Sequence, residues 1–255
     1  MTVLISIVSF NIRCAVKEDG ENYLPLRINN IIGTIAQKEP DLIGFQELPE
    51  DESCMKLEAA LTGYRSFGYG RGPHNDGETN KIFVRKDAFA VLAYDQFWLS
   101  PTPRVPGSRY EEQSRHPRIC VWVKLLHRQS GLRLYYFNTH LDHVSPTARS
   151  LGLKRVFETI GEVKKEEDLP VLLSGDFNFN PSESTYEMIA GNGFTDLTKG
   201  IGGTFHGFHK IDDPKQIDYV LCDTPVKSAM YRWTKGIEDG VFLSDHDPVE
   251  VKIEF

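Results

Sequence analysis

Ser244-Asp245-His246-Asp247-Pro248, followed by Val249 to Phe255, sets two acids and a histidine immediately ahead of a β-strand. Ile217-Asp218-Tyr219-Val220-Leu221 has the same order, acid first and strand after. Four earlier clusters reverse it. Ser9-Phe10-Asn11-Ile12-Arg13 closes the run Ile5 to Phe10, and Phe45-Gln46-Glu47 closes Asp41 to Phe45. Asn138-Thr139-His140-Leu141-Asp142-His143 follows Leu132 to Phe137, and Gly175-Asp176-Phe177-Asn178 follows Leu169 to Leu173. If all six clusters face one rim, some strands must run opposite to the others, which excludes a wholly parallel sheet. Mixed sheets packed with helices outside satisfy the pattern, so the expectation is a two-sheet α/β sandwich.

Two helices fit between these strands. Ile28, Ile31, Ile32 and Ile35 fall on one face of a stretch that Pro40 closes, and Ser145-Pro146 can start a second helix with Leu153, Val156, Phe157 and Ile160 on one face. Asn11 and Glu47 are 36 positions apart, as are His140 and Asp176, which suggests a pseudo-symmetric pair of units.

The chain of 255 residues, 40% of them hydrophobic, can bury a large core. Gly68 to Gly77 and Pro101 to Pro117 read as long loops flanked by strands, so residues 1–255 are taken as a single domain. Cys14, Cys54, Cys120 and Cys222 have no paired spacing and read as reduced thiols. With a first strand starting at Val3 and no apolar run long enough to span a bilayer, the expectation is a cytoplasmic protein, although a secreted chain whose leader had been removed would read the same. No obligate protein partner is evident. A net charge of −7 argues against a broad basic face that grips long nucleic acid.

Several carboxylates, two amides and two imidazoles sharing one pocket would repel one another unless a cation neutralised them. Glu47, directly after an apolar run, reads equally as a metal ligand or as a cap or turn residue. Asn11 beside it supplies a neutral oxygen, and oxygen ligands favour Mg²⁺ or Mn²⁺ over zinc. Asp176 can orient or deprotonate a water, and the Asn178 amide can hold a phosphate oxygen, although Asp and Asn after a strand also make Asx turns. Two histidines and two separate acids permit two His–carboxylate pairs, with Glu78 the candidate partner of His140. No Gly-x-Ser-x-Gly elbow occurs, and neither a serine nor a cysteine is read as the nucleophile.

In order, Ser9-Phe10-Asn11, Gln46-Glu47, Asn138-Thr139-His140-Leu141, Gly175-Asp176-Phe177-Asn178, Ile217-Asp218-Tyr219 and Ser244-Asp245-His246 resemble the endonuclease/exonuclease/phosphatase superfamily, over nearly the whole chain. The resemblance implies a four-layer α/β/β/α sandwich of two mixed β-sheets with outer helices, as in deoxyribonuclease I, and metal-dependent cleavage of phosphate esters by water. It places Asn11 and Glu47 in the metal site with Asp245 near it, and Asp176 and Asn178 on the water and the scissile phosphate. It has Asp218 orient His246, and Glu78 orient His140. Phe97-Trp98-Leu99-Ser100, Pro117-Arg118-Ile119, Asn138-Thr139-His140-Leu141-Asp142-His143 and Gly203-Thr204-Phe205-His206-Gly207-Phe208 are similar to a bacterial subgroup whose substrate the match does not imply.

Arg118, Arg13 and Arg71 are candidate phosphate-binding residues, with solvated loop arginines the common alternative. Trp98, Phe205 and Phe208 could stack on a base or pack against a sugar, or belong to the core. Nuclease and small-molecule or lipid phosphatase both remain open. A non-catalytic protein that binds a phosphorylated ligand, or acts as a scaffold on the same fold, is the rival from another class.

Overall fold

The computed structural model describes residues 2–234 and 242–255. In chain order its strands are β1 (Leu4–Asn11), β2 (Leu42–Gln46), β3 (Leu48–Pro49), β4 (Tyr64–Phe67), β5 (Glu78–Thr79), β6 (Ile82–Arg85), β7 (Phe89–Trp98), β8 (Ile119–His127), β9 (Arg133–His140), β10 (Val171–Asp176), β11 (Thr195–Asp196), β12 (Asp218–Cys222), β13 (Lys227–Arg232) and β14 (Val249–Glu254). The α-helices are α1 (Leu24–Lys38), α2 (Glu52–Ala60), α3 (Pro146–Glu166) and α4 (Glu187–Gly191).

One six-stranded sheet has the order β13-β14-β1-β2-β6-β4, the other β11-β12-β10-β9-β8-β7, and β3 pairs with β5 alone. Each large sheet holds one parallel pair, β1 with β2 and β9 with β10. The strands led by an acid, β12 and β14, run antiparallel beside those pairs. That reversal brings all six polar clusters to one rim.

Side-chain alternation builds the layers. Ile5 and Ile7 of β1 point between the sheets and meet Val121, Val123, Tyr136 and Leu172 of the other sheet. Val8 and Phe10 point the other way, onto Ile28, Ile31 and Ile35 of α1 and Leu57 of α2. Tyr135, Phe137 and Leu173 pack outward on Leu153, Val156 and Ile160 of α3. The result is the four-layer α/β/β/α sandwich. Pro25 stands in the first turn of α1, and Ser145 caps α3 by accepting the Ala148 N–H at 3.1 Å.

Near the rim the two sheets are joined by polar groups. Gln46 Nε2 donates to Asn138 Oδ1 at 2.7 Å, and Asn138 Nδ2 donates to the Phe45 and Asn80 carbonyls at 2.7 and 3.1 Å. Gly44 makes the approach possible, since a Cβ there would lie 2.3 Å from Tyr136 Oη and 2.6 Å from Asn138.

The equal spacings in sequence do not give equal geometry. His140 and Asp176 are direct partners across β9 and β10, whereas Asn11 faces Gln46, and Glu47 lies one residue beyond the pair. Glu47 enters by a different device. Its backbone is left-handed, with φ 60°, which breaks the strand between β2 and β3.

Among the described residues no helix is long and apolar enough to cross a membrane. The four cysteines are unpaired, three of them buried.

Candidate active site

At the rim, His140, Asp176 and Asp218 lie side by side on three adjacent strands, because Asp176 pairs with His140 on one side and with Asp218 on the other. From the facing sheet, Asn11 Nδ2 reaches both Glu47 Oε1 (3.1 Å) and Asp176 Oδ2 (2.9 Å). A single amide thus ties the two sheets together at their polar ends. A cavity of about 340 Å³ opens there, lined by Arg13, Cys14, Glu47, Arg71, Glu78, His116, Arg118, His140, His143, Asp176, Asn178, Phe205, Ile217, Asp245 and His246. Asn11 and Asp218 are buried behind its wall. A larger cleft of about 470 Å³ opens near the start of β1, but its buried acids are already spent: Asp41 on Arg85 and the Ser6 N–H, Glu250 on Ser6 Oγ and Trp233.

The two histidines have opposite characters. His246 Nδ1 is 2.9 Å from Asp218 Oδ2, which also accepts from Thr204 Oγ1 at 2.6 Å, and its Nε2 is 3.9 Å from Asp176. Burial opposes the charge on His246, but Asp218, Asp176 and Asp245 outweigh it and raise its pKa to about 10, so it is an imidazolium at neutral pH. His140 has no carboxylate at its Nδ1, although Asp176 Oδ2 lies 3.4 Å from its Nε2. Its Nε2 accepts from Asn178 Nδ2 at 3.0 Å, its Nδ1 is buried without a partner, and burial together with Arg118 and Arg71 holds it well below the ordinary histidine range.

The acids divide as well. Burial and the neighbouring Asp218 push Asp176 up to about 7. Burial also pushes Glu47 upward, but the His246 charge, the Asn11 amide and the Cys14 N–H (3.2 Å) outweigh it and leave Glu47 below the usual carboxylate range.

Backbone strain gathers here. Arg13 (φ 57°), Glu47 (φ 60°) and Asn178 (φ 53°) all adopt the left-handed region, which costs a non-glycine residue about 1 kcal/mol or more. Asn178 is locked there by its own N–H to Asp176 Oδ1 (3.0 Å) and by Nδ2 to the Leu141 carbonyl (3.1 Å). The fully buried Arg27 donates to the carbonyls of Ile12, Arg13, Asn22 and Leu243, so it braces the segment after Asn11 against the one before Asp245.

Some expected pairings do not form. Glu78 lines the cavity, but its carboxylate lies 2.8 Å from Arg71 Nη2 instead of on His140. The loop that carries Arg71 folds back so that Arg71 N–H donates to the Glu78 carbonyl (2.9 Å), and a permanent charge at that distance outcompetes a neutral imidazole. Arg13 lines the cavity edge, held by Asp19 at 2.9 Å with Asp245 at 3.7 Å. Arg118 is buried in the wall. Of the aromatics, Phe205 alone reaches the cavity, against the His246 ring at 4.7 Å. Trp98 is buried, with its N–H on the Arg71 carbonyl, and Phe208 is buried against Arg27, so neither faces a ligand there. Sequence reading did not single out Cys14, His116, His143 or Thr204. Thr204 stands beside Phe205 in a quoted motif and His143 beside Asp142, but nothing local shows what they touch.

The donor set suits a hard divalent cation. Asp176 is pushed up first by burial and then by Asp218, and Glu47 and Asp245 line the same cavity. The amide of Asn11 currently turns its nitrogen to the acids and its oxygen to the Arg13 N–H (3.0 Å), so it would ligate only after a half-turn. Asp176, Asp218 and His246 form the tightest acid–imidazole group among the described residues, within 4.8 Å. There Asp218 Oδ2 is already bonded to His246 and Thr204, while its Oδ1 is buried without a hydrogen-bond partner.

The family model for the endonuclease/exonuclease/phosphatase family matches residues 8–246, and the chain belongs to that family. Two solved proteins described by that same family name are similar over their whole lengths. One is from Bacteroides vulgatus (29% identity, 99% of each chain covered, TM-score 0.91), the other from Bacteroides thetaiotaomicron (27%, 100% of this chain and 99% of that one, TM-score 0.89). A mannosyl-6-phosphatase of Bacteroides thetaiotaomicron is similar at 27% identity, covering 98% of this chain and 100% of its own, with a TM-score of 0.87. No curated protein matches the sequence.

Proposed function

We propose that residues 1–255 form one functional unit, a divalent-metal-dependent phosphoesterase that cleaves a phosphate ester with an activated water. The observation that carries this reading is the juxtaposition of Asp176, whose pKa near 7 suits proton transfer at neutral pH, with the imidazolium of His246 on one cavity wall. Asp176 accepts the water proton. His246 stays charged through Asp218 and stabilises the oxyanion that develops on phosphorus or the leaving group. His140 and the Asn178 amide are neutral hydrogen-bonding groups for the phosphoryl oxygens. Glu47 and Asp245, with Asn11, would hold Mg²⁺ or Mn²⁺, which when bound polarises the phosphoryl group. Arg118 and Arg13 bind substrate charge, and Glu78 keeps Arg71 at the cavity edge.

A compact phosphorylated ligand is the favoured substrate class. The cavity of about 340 Å³ holds three arginines among carboxylates, the chain is acidic, and a similar protein is a mannosyl-6-phosphatase. The test is hydrolysis of p-nitrophenyl phosphate, bis-p-nitrophenyl phosphate and mannose 6-phosphate with Mg²⁺, Mn²⁺ or EDTA, for the wild type and Asp176→Ala. Metal-dependent release that the substitution lowers at least ~10²-fold is the expected outcome. Metal-independent ligand binding with no product would instead establish the non-catalytic rival.

A further inference from the structure

Asp142 and His143 follow the His140 strand end but take no part in the chemistry above. His143 is exposed at the cavity lip, and its Nδ1 lies 2.8 Å from Arg118 Nη2. An arginine offers donors only, so Nδ1 must accept, which fixes His143 as the neutral tautomer with its proton on Nε2. Asp142 accepts from the Ser114 N–H (3.2 Å), Ser114 Oγ, the Val144 N–H (3.0 Å) and the Ser145 N–H (2.8 Å). Its oxygens are thereby committed to pinning the Ser114 turn to the start of α3.

Arg118 gains little from Asp142, because the nearest approach, Nε to Oδ2, is 3.9 Å. Arg118 Nε is buried with no hydrogen-bond partner, in a side chain only 5% exposed. A buried guanidinium with a donor unspent, whose nearest carboxylate oxygen is 3.9 Å away and already bonded to Ser114, is costly unless an anion completes it. Among the described residues, His143 is the one side chain hydrogen-bonded to it.

We infer that His143 is a positioning residue for Arg118, holding the guanidinium as a preformed receptor for a substrate oxyanion. The inference rests on the phosphoester reading and names the residue that sets substrate affinity within it. His143 restrains the Nη2 end while the Asp142-pinned turn fixes the wall. Because the imidazole accepts and adds no countercharge, Arg118 keeps its full attraction for the anion.

The test measures inorganic phosphate binding calorimetrically with Mg²⁺ present, for the wild type, His143→Ala, His143→Asn, Arg118→Ala and the His143→Ala/Arg118→Ala double variant. Asparagine can restore an acceptor near the Nδ1 position. Loss of a hydrogen bond to a charged group predicts about tenfold weaker binding in His143→Ala and a loss under about threefold in His143→Asn. The double variant should bind no more weakly than Arg118→Ala, since His143 acts through Arg118. In turnover of p-nitrophenyl phosphate, KM should rise while kcat changes less than about threefold. Unchanged binding by His143→Ala, or a full additive loss in the double variant, overturns the inference and leaves the phosphoester reading intact. If the wild type itself fails to bind phosphate, the reading of the site falls, and the inference with it. Should His143→Ala not fold, His143→Asn set against Arg118→Ala decides the matter.

Discussion

Asp176 and Asp218 are directly opposed across antiparallel β10 and β12, two buried carboxylates in neighbouring register. The repulsion is resolved unequally. Asp218 is committed to His246 and Thr204, while Asp176 takes the upward shift. The pair thereby supplies both a charged imidazole and a carboxyl poised near neutrality.

For the metal-free protein this relationship predicts an unusual pH dependence of stability. The folded-state pKa of Asp176, about 7, lies above its unfolded value, so its contribution is present at low pH and is lost as pH rises from about 4 through 7. Denaturant titrations in EDTA should show Asp176→Asn more stable than the wild type at pH 8 by at least ~1 kcal/mol. Mg²⁺ should narrow the gap by stabilising the wild type. A less stable variant at pH 8 would contradict this account.

His246 gives the complementary limb. Its pKa is raised to about 10, so the stabilisation it provides is full below about 6.5 and fades as pH climbs through 10. Asp218→Asn removes the partner that sustains the charge. The alkaline limb of kcat should then move toward neutrality, and turnover at pH 8 should fall by about 10²-fold. An unshifted limb would show that His246 draws its charge from elsewhere.

Asn178 separates backbone from side-chain effects. At φ 53° alanine is strained and glycine is not, so Asn178→Gly should be more stable than Asn178→Ala by about 1 kcal/mol in chemical denaturation. Both should lose turnover alike, because both lack the amide that meets His140. Restored activity in the glycine variant would assign the residue a purely conformational role.

The contact between the sheets can be tested away from the chemistry. Gly44→Ala places a methyl 2.3 Å from Tyr136 Oη and should cost about 1–3 kcal/mol. Because Gly44 neighbours Phe45 and Gln46, whose groups bond Asn138, turnover should fall with stability. A variant as stable as wild type would mean that the sheets part without cost.

The order of polar clusters and strands was enough to place the rim. Residues that lead β12 and β14, and residues that close β1, β9 and β10, can meet only if strands reverse, so mixed sheets follow from local pattern alone. The apolar faces of α1 and α3 were equally legible, because a helix stripe is periodic in sequence. What each side chain touches was not. The matched 36-residue spacings concealed a one-residue difference in register, and the left-handed turn at Glu47 carries no local signal in its neighbours. Glu78 meets Arg71 and not His140 because a loop folds back, and Arg118 leans on His143 because a turn 28 residues away from Asp142 is pinned to it. Sequence by itself determined which kinds of groups reach the rim, since strand alternation and cluster order are local. Only the tertiary structure decided their partners, and hence their charges, because hydrogen bonds and burial depend on segments that meet through the fold.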